Sequence, residues 1–260
     1  MEKSLLESVC DISREIGDWM ENERLTFDPN ATELKGFNNL VSYVDRTSED
    51  KFKEKLTALL PESSFLGEES GCEENNSEYL WIVDPLDGTT NYIHDLPIYC
   101  TSVALQKSGK TVIGVVYLPA TGELFYADEN EAYLNGKAIK VSETSALSDS
   151  LISTGFPYDD FERWHSYNKS FEYFARNTRG VRRMGAAAAD LCYIACGRFD
   201  FFFEYALSPW DVAAGALIIE AAGGKVADFS GGDQYIYGKE IIASNNNLFE
   251  KGKSVIQNNF

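Results

Sequence analysis

The chain has 260 residues, 44% of them hydrophobic, enough for one large core or two fused lobes. Acids outnumber bases 41 to 23, a net charge of -18, which argues against nucleic-acid binding through a general basic surface. An anionic substrate would need local positive charge, and bound divalent cations supply it. No apolar run of about 18 residues is present, so no spanning helix is expected. The acid-broken start MEKSLLESVCDISREIGDWMENE lacks a signal peptide's apolar centre and reads as a cytoplasmic protein. Five scattered cysteines, an odd number without a framework, read as reduced thiols.

Residues 4 to 20 place Leu5, Val9, Ile12, Ile16 and Met20 at helical spacing, an amphipathic helix packed on a core. Residues 26 to 40 are polar, with Pro29, Asn30 and Gly36, and read as a loop or hairpin. Leu40 to Val44 alternates weakly as a strand and ends at Asp45. Thr47-Ser48-Glu49-Asp50 then resembles a helix start, with Phe52, Leu56, Leu59 and Leu60 as the buried face. Phe65 and Leu66 form a short strand leading into Gly67, Glu68, Glu69 and Ser70. Residues 71 to 78 read as an exposed acidic loop.

The stretch WIVDPLDGTTNYIH, residues 81 to 94, organises the chain. Trp81 to Val83 is a buried strand, Asp84 closes it, and Pro85 is expected to stop the ladder by removing an N–H. Gly88 permits a tight turn, and Thr89, Thr90 and Asn91 open a helix. Two carboxylates at a strand end, with the Leu86 carbonyl between them, can reach one hard cation or two adjacent ones. The N–H groups of Gly88, Thr89 and Thr90 can hold a phosphate. The plain alternative is a surface Asp-Pro-x-Asp-Gly turn. Three strands that end in acid, Val44 into Asp45, Leu66 into Glu68 and Val83 into Asp84, point to carboxylates converging on one site.

Ile98 to Val141 alternates with period two between turns at Ser108-Gly109, Pro119 to Gly122 and Asn135-Gly136, an antiparallel meander serving as scaffold. Residues 142 to 165 are loop-rich, and Tyr167 to Arg176 is a helix. Arg179, Arg182 and Arg183 form a rare basic cluster that either faces a phosphate or pairs with acids. Gly185 to Cys196 is an Ala-rich helix ended by Gly197. Cys192 and Cys196 share one of its faces and read as buried small residues rather than zinc ligands. Asp200 to Tyr205 is a buried strand carrying Glu204. Ser208-Pro209-Trp210-Asp211 opens a helix that runs to Ala222. Asp211 there either complements the helix dipole or serves as a metal ligand. Lys225 to Phe229 and Glu240 to Ala243 are strands, and Asn246 to Gln257 is a closing helix. His94 packs or caps.

The 81 to 94 stretch resembles the first signature of the inositol monophosphatase family of metal-dependent, lithium-sensitive phosphatases. WDVAAGALIIEAAGG, Trp210 to Gly224, resembles its C-terminal signature. FLGEES, Phe65 to Ser70, resembles a third element, and Asp45 stands where the family has its upstream acid. The resemblance implies an α+β fold, an αβαβα layered sandwich with a large antiparallel sheet followed by a smaller mixed one. It implies a single domain over residues 1 to 260, with lobes of roughly 1 to 145 and 146 to 260, and commonly a homodimer. It implies Mg²⁺, two or three ions, with Mn²⁺ as a possible substitute. Glu68, Asp84 and the Leu86 carbonyl would hold one ion; Asp84, Asp87 and Asp211 a second; Glu68 would also touch a third. Asp45 and Thr89 would orient the attacking water. Gly88 and Thr89 would hold the phosphate, and Gly185, Ala186 and Glu204 would contact the alcohol, on the substrate side shared with Asp87 and Asp211.

This chain departs from the pattern in two places: Ala186 stands where many relatives carry Ser or Thr, and Ser208 where some animal relatives have His. The implied activity is a phosphomonoesterase acting on inositol monophosphate or a similar small polyol or sugar phosphate. Fructose 1,6-bisphosphate, adenosine 3',5'-bisphosphate and histidinol phosphate are the alternatives within the class. A regulatory binding protein that retains the fold is the alternative outside it. Asn91 after the threonines is the inositol phosphatase pattern, where the nucleotide phosphatases more often have Lys-Glu.

Overall fold

The computed structural model describes residues 4–26, 32–36, 39–73, 77–158 and 160–260. Helix α1 (Leu5–Arg24) starts at a reciprocal box, in which Glu7 N–H donates to Ser4 Oγ and Ser4 N–H to the Glu7 carboxylate. It buries Val9, Cys10, Ile16 and Met20. Strands β1 (Thr32–Gly36) and β2 (Asn39–Ser42) pair antiparallel, so the described part of the 26 to 40 segment is a hairpin. Residues 27–31 and 37–38 lie outside the described residues.

Helix α2 (Tyr43–Leu59) corrects the reading of Val44 as the end of a strand and Thr47 as the helix start. Ser42 and Asp45 close a second reciprocal box: Ser42 N–H donates to Asp45 Oδ2 at 2.8 Å and Val44 N–H to Ser42 Oγ at 3.1 Å. The box nucleates the helix at Tyr43, and Asp45 lies in its first turn.

Strands β3 (Ser64–Gly67), β4 (Gly71–Glu73) and β5 (Tyr79–Asp87) follow. Residues 71–73 are strand rather than loop, because β4 turns back onto β3 with Gly67 opposite Gly71. Residues 74–76 lie outside the described residues. Pro85 does not stop β5. The strand runs on to Asp87, and its register against β6 (Cys100–Lys107) slips between Asp84 and Asp87: Asp84 pairs Ser102 and Asp87 pairs Cys100. The proline sits in that bulge, where no ladder donor is required.

After α3 (Thr89–Ile93) the expected meander is present as β6, β7 (Lys110–Leu118), β8 (Glu123–Asp128), β9 (Ala132–Leu134) and β10 (Lys137–Ala138). Among the described residues the first sheet has eight strands in the order β10-β9-β8-β7-β6-β5-β3-β4, antiparallel except for the β3–β5 pair. The second sheet is built from β11 (Ile152–Thr154), β12 (Val181–Arg182), β13 (Phe201–Tyr205), β14 (Lys225–Ala227) and β15 (Glu240–Ser244). Its order is β12-β11-β13-β15-β14, mixed parallel and antiparallel.

Five layers result. Helices α1 and α2 cover one face of the large sheet around Val9, Phe52, Trp81 and Val115. Helices α5 (Ala187–Ala195) and α6 (Pro209–Ala221) fill the space between the sheets. Helices α4 (Trp164–Asn177) and α7 (Phe249–Gln257) close the outer face of the small sheet over Phe174, Phe201 and Phe203. This is the αβαβα sandwich expected. The middle helices have no polar face: all of α5 and Val212 to Ile219 of α6 are buried. Small residues let the layers close. A Cβ on Gly114 of β7 would lie 2.7 Å from the Ala214 carbonyl oxygen of α6. All five cysteines are free, and no helix of the described residues is long and apolar enough to cross a membrane.

Candidate active site

The parallel β3–β5 pair sets the site. Gly67 lies opposite Val83, so both strands present their C-terminal ends at one edge of the sheet. Glu68 follows β3 there, its N–H donating to the Val83 carbonyl at 3.3 Å, and Asp84 follows Val83. The bulge at Pro85 carries the chain on to Asp87. The fourth acid arrives from the other half of the chain. Asp211 is in the first turn of α6, and Ser102 Oγ, opposite Asp84 on β6, donates to the Trp210 carbonyl at 2.9 Å. That bond ties the start of α6 to the strand beside Asp84.

Each of three carboxylates is anchored by a main-chain N–H. Leu86 N–H donates to Asp84 Oδ1 at 2.9 Å, Ala188 N–H to Asp87 Oδ2 at 2.7 Å, and Ser208 N–H to Asp211 Oδ2 at 2.7 Å. The acids also feel one another. Burial pushes Asp84 well above the usual carboxylate range, and the charges of Glu68, Asp87 and Asp211 push it further. Asp211 is raised by burial and then by Asp87. Asp87 is raised to about 6 by burial, against the Ala188 and Ala187 N–H groups, the Cys100 thiol and Arg183.

These donors fit a hard divalent cation. They are carboxylate oxygens, with the buried Leu86 carbonyl beside them, and their mutual repulsion is what a cation relieves. As the side chains stand, no three of the described His, Cys, Asp and Glu residues converge tightly enough to enclose an ion.

Beside them, Thr89 Oγ1 lies 2.9 Å from Asp45 Oδ1 and 3.0 Å from the Leu86 carbonyl oxygen, so its one proton serves either acceptor. Asp45 is 1% exposed, and burial raises its pKa against the bonds from Ser42 and Thr89. Gly88 precedes α3 with φ +91°, and a Cβ there would lie 2.9 Å from the Ile98 carbonyl oxygen and 3.2 Å from Ala186 Cβ. Glycine alone satisfies both demands.

A cavity of about 400 Å³ opens onto this cluster. Glu68, Asp87, Asp211, Gly185, Ala186 and Glu204 line it; Asp45, Asp84, Leu86, Gly88 and Thr89 are not among its lining residues. A larger cavity of about 700 Å³, walled in part by Asn130, Lys140 and Asn246, reaches the C-terminal end of α6 and holds none of these acids. The chemistry, not the volume, selects the site.

Of the three arginines only Arg183 reaches the cavity, its guanidinium 5.8 Å from the centre of the Phe156 ring. Arg179 pairs with Asp149 at 3.3 Å, and Arg182 donates to the Val181 carbonyl. His94 caps α3 through its main-chain N–H.

Besides Ser102, sequence reasoning missed two supporting residues. Glu49, 3% exposed on α2, accepts from Glu69 N–H at 2.8 Å and Ser70 N–H at 2.7 Å and so pins the turn that carries Glu68. Gly155 lets Glu204 into the site: a Cβ there would lie 1.9 Å from Glu204 Oε1. Neither carries a local signal, since both act across pairings distant in the chain.

Residues 3–258 match the inositol monophosphatase family. The chain belongs to the inositol monophosphatase family. It is 40% identical over 226 residues to the inositol-1-monophosphatase of Rhizobium meliloti, covering 86% of this chain and 85% of that protein. It is 39% identical over 229 residues to the Nus factor SuhB of Pseudomonas aeruginosa, covering 86% and 84%. The crystal structure of extragenic suppressor protein SuhB from Bartonella henselae superposes with a TM-score of 0.93 at 34% identity, covering 99% of this chain and 100% of that one. Family membership and fold therefore stand as the two signatures indicated.

Proposed function

We propose that this family member is a Mg²⁺-dependent phosphomonoesterase that hydrolyses inositol monophosphate or a similar small polyol phosphate. The supporting observation is the assembly of four acids from three separate stretches of chain: Glu68, Asp87 and Asp211 line one cavity, Asp84 is close enough to feel all three charges, and the Asp45–Thr89 pair is joined to the Leu86 carbonyl between them. Glu68, Asp84 and the Leu86 carbonyl would hold one ion and Asp84, Asp87 and Asp211 another, with Glu68 within reach of a weaker third and Mn²⁺ able to substitute. When bound, Mg²⁺ supplies charge neutralisation for the phosphate and a lowered pKa for water.

The chain's own groups do the rest. Thr89 Oγ1, its proton turned to Asp45 Oδ1, presents lone pairs that orient the attacking water, and Asp45, its basicity raised by burial, takes up the proton. The Gly88 and Thr89 N–H groups hold the phosphate oxygens. Glu204 accepts hydroxyl donors of the alcohol against the wall formed by Gly185 and Ala186. No Cys, Ser or His nucleophile is required.

Phosphate release across a panel of phosphomonoesters, with Mg²⁺ and with chelator, tests this. Turnover of a polyol monophosphate that stops with chelator is expected, and no release from any ester refutes the proposal. Faster turnover of fructose 1,6-bisphosphate, adenosine 3',5'-bisphosphate or histidinol phosphate would reassign the substrate. The similarity to a protein named Nus factor SuhB favours one second reading, a regulatory binding role on the same fold. Retention of Asp45 and Thr89, which hold no metal in this scheme, supports the enzyme. We place the protein in the cytoplasm as a homodimer; the mass in solution checks the latter.

A further inference from the structure

Helix α5 buries an acid that the proposed reaction does not use. Asp190 is 1% exposed, on a helix otherwise made of Ala, Leu, Cys, Tyr and Ile. It lines the cavity, and its Oδ1 has no hydrogen-bond partner. Burial pushes the Asp190 carboxyl well above the usual carboxylate range, against the neighbouring Ser153 hydroxyl on β11, whose Oγ likewise has no partner within hydrogen-bond distance. Arg183 is near enough to act on Asp190 by charge, yet no ion pair joins them among the described residues. Burial raises the Glu204 carboxyl well above its ordinary value, and Asp190 raises it further. A carboxylate left in this state inside an apolar layer is unfavourable, and a small apolar residue would pack there at less cost. Because Asp190 lines the cavity, whatever fills the cavity can supply a hydrogen bond that the fold does not.

We propose that Asp190 is a specificity-determining residue that, together with Glu204, accepts hydrogen bonds from two hydroxyls of the substrate's alcohol half. This rests on the phosphatase reading and narrows it. The alcohol is polyhydroxylated, with at least two free hydroxyls on the side away from the scissile ester. A site built to bond a hydroxyl discriminates strongly against the analogue that lacks it.

The test compares Asp190→Asn with the unmodified protein on inositol 1-phosphate and on p-nitrophenyl phosphate, which has no hydroxyl to offer. The expected result is a KM for inositol 1-phosphate raised about tenfold with kcat held within about twofold, and both constants for p-nitrophenyl phosphate unchanged. Equal losses on the two esters, or none on either, overturn the proposal. Should the variant fail to fold, singly deoxygenated inositol phosphates on the unmodified protein decide the matter. Two separate positions whose loss raises KM are expected, and one alone, the Glu204 contact, overturns it. Release of phosphate from no ester would reject the phosphatase reading itself, and this inference with it.

Discussion

Gly155→Ala separates function from folding at the alcohol end of the site. An ideal Cβ would sit 1.9 Å from Glu204 Oε1, about 1.5 Å inside ordinary contact at 3.4 Å. The backbone of Glu204 cannot yield, because β13 lies between β11 and β15 and the Phe203 carbonyl accepts from Thr154 Oγ1 at 2.6 Å. The carboxylate therefore swings away by about 1.5 Å and loses its hydroxyl contact. Leaving a buried polar partner unsatisfied costs about 1–3 kcal/mol, so kcat/KM should fall roughly 5- to 150-fold, mostly through KM. The backbone at residue 155 does not have the positive φ that favours glycine, and alanine also restricts the unfolded chain, so Tm should change by no more than a few degrees. Steady-state kinetics beside a thermal melt read both. A variant with kcat/KM within about twofold of wild type would show that Glu204 does not touch the substrate.

Asp84→Asn should abolish phosphate release while circular dichroism and melting stay native, since it relieves repulsion in the acid cluster; normal turnover would refute the metal assignment. Glu49→Gln should lower stability by about 1–2 kcal/mol and speed hydrogen exchange at the Glu69 and Ser70 amides, because its NH₂ faces an N–H that had a carboxylate oxygen; unchanged exchange would remove Glu49 from the support of Glu68. Asp87 is raised to about 6, above an unfolded value of about 3.9. The metal-free folded state holds that proton more tightly, so its contribution to stability is complete below about pH 4 and is lost as pH rises through about 6. Mg²⁺ competes with the same protons, so the gain in Tm on adding it should be larger at pH 7.5 than at pH 5.5; equal gains would mean that the ion binds elsewhere.

Much of the architecture could be read from the chain because its signals are local. The meander shows period two, and α5 and α6 are the uninterrupted small-apolar runs of a middle layer. Ser42 and Asp45 spell a capping box in the sequence, but the weak alternation of Leu40 to Val44 points to a strand through the same residues and hides the helix start. The missing donor of Pro85 points to a strand end, and only the register slip against β6 shows why the strand tolerates it. Strand β11 was invisible because three residues, two of them Ser and Thr, have no period. The supports of the site, Ser102 under Trp210, Glu49 under the Glu68 turn and Gly155 under Glu204, each join segments far apart in the chain, and no local pattern encodes them.

Asp45 and Asp211 share one structural habit: each is the third residue of its helix, with one oxygen committed to the main chain of the serine that begins it. Their torsion angles are thereby set before any ligand arrives, and little side-chain freedom is left to lose on binding. The same arrangement makes the site intolerant of chain length. Glutamate at either position can still close the box, as Glu7 does at the start of α1, but its extra methylene moves the second oxygen, so a conservative exchange would leave the helix end fastened and still misaim the ligand oxygen.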